Sequence, residues 1–263
     1  MHPRHTAYGE LVDPATTPAS NQLSQLGASG DLARVRADFT RFMMEYKFGM
    51  DEVETKISIL QEEFTHLHDY NPIEHVLTRL KTPESILEKI RRRGLDPSFE
   101  AIRDNITDIA GVRVACSFVR DVYNVYDMLT SQPDVEVLQV KDYIANPKPN
   151  GYRSLHGLVR VPVHLSDRIV PVTVELQLRT VAMDFWASLE HKIYYKYRDS
   201  VPEDLLVQLQ DAAKTAADLD ERMGALHLQT HGEFAGMQRT GPTDEVVRQL
   251  QELRESREND RFV

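Results

Sequence analysis

The chain has 263 residues and a net charge of −10, with 31 Lys and Arg against 41 Asp and Glu. This balance excludes a general nucleic-acid or membrane-surface binder, which needs a broadly basic face, so any anion site must be a local cluster of cations. The lone Cys116 excludes an internal disulfide and fits a reducing cytoplasm, and no run is apolar enough for a membrane span or a signal-peptide core.

Residues 1–30 are rich in Pro, Thr, Ser, Ala and Gly and read as a flexible leader. From Asp31, a candidate N-cap, Leu32, Val35, Phe39, Phe42, Met43 and Tyr46 recur at helical steps. A second helical run carries Val53, Ile57, Leu60 and Phe64, and Asn71-Pro72 stops it. Thr82 then caps a helix with Pro83 at its first position, ending near Gly94, and Asp96-Pro97 opens a shorter one.

The period then changes. Segments 109–118, 135–144, 155–163 and 169–178 are rich in β-branched residues, partly alternate, and read as strands, with a helix over 122–129 between the first two. Helical spacing returns after Thr180 through Met183, Trp186, Leu189 and Ile193, and again over 202–228. A loop over 232–243 and a charged helix over the last twenty residues close the chain. The class is α+β, with the folded domain over 31–230 and a partly helical tail over 231–263.

Three places carry candidate chemistry. Lys81, Ser85, Lys89 and Arg92 follow one another at steps of four, four and three, so they share a helix face suited to a polyphosphate near a helix N-terminus, with Arg79 just before. The bland alternative is a solvated basic face. Asp108 stands at the mouth of a strand, and Glu175, Gln177 and Arg179 project from one face of another while Val174, Leu176 and Leu178 project from the opposite face. Two carboxylates brought together on neighbouring strands suit Mg²⁺, which takes few protein carboxylates and leaves room for phosphate oxygens; the alternative is a structural pair bonded to backbone or to Arg179. The third place is PKPNGYRSLHG, residues 147–157. Its prolines extend the backbone, Asn150-Gly151 turns it, and Tyr152 is free to stack on a base with Lys148, Arg153 and His156 around it, or else to plug the sheet edge.

These motifs, with RLKTPESILEKIRRR before TDIAGVRV and with VELQLRT before AMDFWASLEHK, resemble the synthetase domain of the RelA/SpoT family, which makes the alarmones ppGpp and pppGpp. The likeness covers about residues 71–197. It implies a nucleotidyltransferase-like synthetase fold with a mixed sheet of about five strands flanked by helices. The chain is too short for the family's hydrolase and C-terminal regulatory domains, which points to the small alarmone synthetases.

The resemblance implies transfer of a pyrophosphoryl group from ATP to the 3′-hydroxyl of GDP or GTP. It assigns Arg79 and Arg113 to the adenine, and Lys81, Ser85, Lys89 and Arg92 to the ATP phosphates. Asp108 and Glu175 become Mg²⁺ ligands, Glu175 also helping to deprotonate the hydroxyl. For the acceptor it assigns Tyr152 to guanine stacking, Asn150, Gln177 and the Ala187 backbone to the guanine side, and Lys141, Lys148 and His156 to phosphates. A homotetramer in the cytoplasm is implied as well, and the apolar series Leu205, Leu209, Ala213, Ala216, Leu219, Met223 and Leu226 reads as core or as its seam.

Relatives activated by alarmone carry phenylalanine, threonine and asparagine where this chain has His75, Leu77 and Asp184, which argues against that mode of activation. Two rivals remain: pyrophosphorylation of the tRNA 3′ end, and a catalytically silent nucleotide sensor. His68-Asp69, an adjacent pair without further ligands, reads as surface rather than metal site. Glu190-His191 on the helix after Thr180 reads equally as structural or functional.

Overall fold

The computed structural model describes residues 19–197 and 202–234, with side chains over 31–193 and 202–230. The expected C-terminal helix and most of the expected leader lie outside the described residues. Helix α1 (Ala19–Leu67) runs unbroken through both predicted helical segments, so Asp31 sits inside a helix rather than at its cap. Gly49, between the two runs, is a contact and not a break: a Cβ there would meet Val172 at 2.5 Å, so the bare backbone lets α1 press onto the sheet.

The chain continues as β1 (Ile73–Leu80), α2 (Pro83–Arg93), α3 (Phe99–Asn105), β2 (Ala110–Cys116), α4 (Val119–Thr130), β3 (Glu136–Asp142), β4 (Leu155–His164), β5 (Ile169–Thr180), α5 (Val181–Tyr197) and α6 (Glu203–Phe234). The start of α2 is as read from sequence. Thr82 is extended and its side chain accepts from the Ser85 amide, while Gly94 ends the helix in the left-handed region at φ 62°. Helix α3 is capped by Ser98, not by Asp96, whose carboxylate instead accepts from the Ser98 amide.

The strands form one mixed sheet in the order β1-β2-β5-β4-β3, parallel only between β2 and β5. Strand β1 escaped the sequence reading. It is an edge strand paired with β2 alone, and only its first residue is buried. One face of the sheet is apolar: Val112, Val114, Val159, Val161, Val174, Leu176 and Leu178 are buried against Phe42, Val53 and Ile57 of α1 and Val122, Val125 and Leu129 of α4. Each such side chain contributes about 1.5–3 kcal/mol by leaving water, which fixes the register of the strands. With α1 and α4 on the apolar side, the opposite face is left to polar residues.

Candidate active site

Strand register builds the site. On the polar face one row crosses all five strands as Leu77, Arg113, Gln177, His156 and Lys141. The next row is Arg79, Gly111, Glu175, Leu158 and Gln139. Side chains two apart on a strand share a face, so residues remote in sequence come together without any loop rearrangement.

Two pockets lie over these rows. The first, about 460 Å³, is lined by Leu77, Thr78, Arg79, Lys81, Asp108, Gly111, Val112, Arg113, Glu175 and Gln177. The second, about 240 Å³, is lined by Thr107, Gln139, Lys141, Tyr143, Lys148, His156, Gly157, Leu158 and Glu175. Glu175, on the central strand, lines both.

In the first pocket Asp108 accepts from Lys89 Nζ at 2.7 Å and from Lys81 Nζ at 3.0 Å, so α2 and the end of β1 are tied to the mouth of β2. Burial pushes the Asp108 carboxyl up, but these two ammonium groups outweigh it and hold it below the usual carboxylate range. Arg113 is half-buried, and its Nε lacks an acceptor among the described residues. Burial and the neighbouring Arg179 guanidinium lower its pKa, while Asp184, 3.3 Å away, offsets them in part. Ser85 is on the same face of α2, its hydroxyl accepting from Thr82 Oγ1 at 3.1 Å. Arg92 is exposed on the last turn and lines neither pocket.

Glu175 is also held low. Burial raises its pKa, and His156 and the Gln177 amide at 3.1 Å lower it further than burial raises it, despite repulsion from Asp108. His156 Nδ1 lies 3.7 Å from Glu175, too long for a hydrogen bond in this geometry. Asp108 and Glu175 line the same pocket.

The loop over 147–157 is closed by Gly151 N–H to Lys148 C=O at 2.8 Å and Lys148 N–H to Tyr152 C=O at 3.1 Å. Gly151 has φ 87°, and a Cβ would meet Ala213 of α6 at 2.5 Å, so only glycine allows both the turn and its seating on α6. Gln210 donates to Pro149 C=O at 2.7 Å, and Asn150 donates to Glu190 at 3.0 Å, which gives the Glu190 of the sequence reading a definite partner.

Tyr152 is half-buried, packed beside Trp186, Ala187 and Ala213, and its hydroxyl meets His156 Nε2 at 2.8 Å. Lys148 Nζ sits 4.6 Å from the Tyr143 ring centre and 4.8 Å from that of Tyr152. Ala187 is inside α5, where its N–H is engaged in the helix and only the second lone pair of its carbonyl is open.

Not every expectation held. Arg153 turns away from both pockets and lines a third, about 650 Å³, between α4 and α6, where it eases the charge of Asp220. Gln139 and Tyr143 were missed, although their two-residue spacing from Lys141 already set them on its face. Thr107 left no such signal, because it enters from the loop ahead of β2. His68 packs its ring on Phe64 at 5.0 Å. The apolar series on α6 divides: Leu209 and Ala213 are buried, while Leu219, Met223 and Leu226 are about half exposed.

Comparison with known proteins bears on this arrangement. Residues 78–200 match the model described as a region found in RelA / SpoT proteins. Over 193 residues the chain is 48% identical to GTP pyrophosphokinase YwaC of Bacillus subtilis, covering 73% of this chain and 92% of that protein. Its fold is similar to the crystal structure of small alarmone synthetase 2 from Bacillus subtilis, with TM-score 0.67 and 46% identity over 73% of this chain and 99% of that one. It is likewise similar to small alarmone synthetase 1 of that organism bound to its product pppGpp, with TM-score 0.68 and 38% identity over 76% and 100%.

Proposed function

The chain belongs to the RelA/SpoT family, with the small alarmone synthetases as relatives, and from that premise we propose that it is a GTP pyrophosphokinase making ppGpp or pppGpp. In this reaction the 3′-oxygen of GDP or GTP attacks the β-phosphorus of ATP, the bond between the α- and β-phosphates breaks, and AMP leaves. What carries the reading is Glu175: one carboxylate on the central strand forms a wall of both pockets, so a donor in one and an acceptor in the other would meet at it.

The larger pocket takes ATP. Arg79 and Arg113 lie against the adenine, and Lys81, Ser85, Lys89 and Arg92 take up the phosphates, with Arg92 swinging in from its exposed position. Lys81 and Lys89 are already aligned by Asp108, so little reorganisation is needed when a triphosphate arrives. The smaller pocket takes GDP or GTP. Lys141, Lys148 and His156 on its wall hold phosphates, while Tyr152, whose hydroxyl meets His156, stacks on the guanine beyond that wall and Asn150, the Ala187 carbonyl and Gln177 of the adjoining pocket read its edge. Glu175, ionised at neutral pH, accepts the proton of the attacking hydroxyl.

Mg²⁺ fits this donor set. Asp108 and Glu175 offer hard oxygen ligands on one pocket wall, and two carboxylates suit an ion that completes its shell with water and phosphate oxygens. When bound, the ion would neutralise charge on the phosphates of ATP. The same proposal includes a homotetramer, supported by an exposed apolar stripe on α5, and a cytoplasmic site of action, supported by the free thiol of the buried Cys116.

The test is incubation of the protein and Mg²⁺ with ATP labelled at the β-phosphate and, separately, GDP, GTP or tRNA. Label should move to the guanine nucleotide with an equal yield of AMP. Label on tRNA alone would replace the acceptor, and tight binding of both nucleotides without turnover would make the protein a sensor.

A further inference from the structure

Among the described residues, Arg179 is the one buried cation on the polar face for which the reaction has no direct use. It is 4% exposed at the end of β5. A guanidinium stays charged, so it survives burial only when acceptors surround it. Here Nη1 donates to Asp184 at 3.0 Å, and Nη2 donates to Tyr152 Oη at 2.6 Å and to Gln177 Oε1 at 3.0 Å. Ser154 Oγ lies 3.4 Å from Nε, and the guanidinium carbon is 5.1 Å from the Tyr152 ring centre.

We infer that Arg179 is a positioning residue that fixes the Tyr152 ring and the Gln177 amide for the purine of the acceptor nucleotide. The inference rests on the assignment of Tyr152 and Gln177 to the acceptor above.

Donor counting gives the reason. Arg179 can only donate, so the Tyr152 oxygen must accept from it, and the same oxygen meets His156 Nε2 at 2.8 Å, in a direction set by the imidazole tautomer. The ring is therefore held at its far end from two sides and cannot swing. The Gln177 carbonyl oxygen must likewise face Arg179, which turns its NH₂ toward Glu175 at 3.1 Å. One cation thus sets the orientation of an aromatic platform and of an amide that would otherwise flip freely. Asp184 anchors the cation from behind and also reaches Arg113 at 3.3 Å, so the clamp is braced against the donor pocket.

The experiment measures affinity for GDP and for ATP separately, by calorimetry and by KM, in the wild-type protein and in Arg179→Gln, Arg179→Lys, Tyr152→Phe and the double variant Arg179→Gln/Tyr152→Phe. Loss of the clamp should weaken GDP about tenfold or more and weaken ATP clearly less, since Arg179 reaches the donor pocket only through Asp184 and Gln177. Tyr152→Phe keeps the ring but removes the hydroxyl, so it should reproduce much of that loss, and the double variant should be little worse than the worse single. Lysine cannot fork to three acceptors, so Arg179→Lys should fall between wild type and glutamine. Unchanged GDP affinity in Arg179→Lys and Tyr152→Phe, equal weakening of both nucleotides, or additive losses would overturn the clamp. A wild-type protein that binds no guanine nucleotide would instead overturn the functional reading itself. The two phenol and lysine variants keep the test decisive if Arg179→Gln fails to fold.

Discussion

At the scale of single residues the site depends on two carboxylates kept ionised against burial. Glu175→Gln removes the proton acceptor and one candidate metal ligand while keeping the shape of the wall between the pockets. Synthesis should fall by at least about a hundredfold, with ATP affinity retained through the cations of the larger pocket, as measured by turnover and by calorimetry. Near-normal turnover would remove Glu175 from the chemistry.

The same groups predict an acid response. Both carboxyls have folded-state pKa values below their ordinary ones, 3.8 for Asp108 and 4.5 for Glu175. Their stabilising contribution is therefore complete above those ordinary values and is lost as pH falls through the lower folded ones. Thermal melting of the wild type should drop as pH falls below about 4, and Asp108→Asn should flatten that drop. An identical acid profile in the variant would mean that the lysine contacts of Asp108 contribute nothing.

At the scale of elements, the junction of β5 and α5 ties the site to its support. Thr180 Oγ1 accepts from the Met183 amide at 3.1 Å, which caps α5, and donates to Asp220 of α6 at 2.6 Å. Burial raises the pKa of Asp220, with Thr180 and Arg153 working against that. Thr180→Val keeps the shape but loses both bonds and leaves Asp220 without its donor. It should cost about 1–3 kcal/mol, seen as a fall of several degrees in Tm. No change in Tm would show that α5 and α6 pack without this link.

The elements that carry these bonds were legible in the sequence to unequal degrees. The alternation of β5 set Glu175 and Gln177 on a face opposite Val174, Leu176 and Leu178, and the Thr82-Pro83 signal located α2, because both are local patterns with a strong period. Strand β1 was not legible, since an edge strand with one buried residue carries little apolar alternation. The rows that join Arg113 to His156 depend on pairing register, which no single segment specifies. Arg153 was misjudged for a related reason: neighbouring residues in an extended loop point to opposite sides, and Tyr152 took the side of Trp186 and His156 while Arg153 lines the third pocket.

At the scale of the whole molecule, charge and apolar surface are both unevenly spread. The chain is acidic overall, yet Arg79, Lys81, Lys89, Arg113, Lys141 and Lys148 gather around the two pockets, a local field that draws polyphosphates while the acidic remainder repels nucleic acid. Apolar surface is exposed on several helices, and on α5 it forms a stripe of Val181, Phe185 and Leu189, spaced at four residues and 47%, 66% and 40% exposed. A monomer would leave this stripe in water next to the helix that supports Tyr152, and large exposed apolar patches mark contacts between proteins. In the proposed homotetramer the stripe is covered by other copies of the chain. Phe185→Glu would place a charge at the centre of that contact, so the mass measured by light scattering should fall below that of the wild type. Phe185 touches neither pocket, so the dissociated variant should keep its far-ultraviolet spectrum, and any loss of synthesis would measure how far α5 depends on its neighbours to hold the acceptor loop. An unchanged mass would place the subunit contact elsewhere and leave the stripe as ordinary surface.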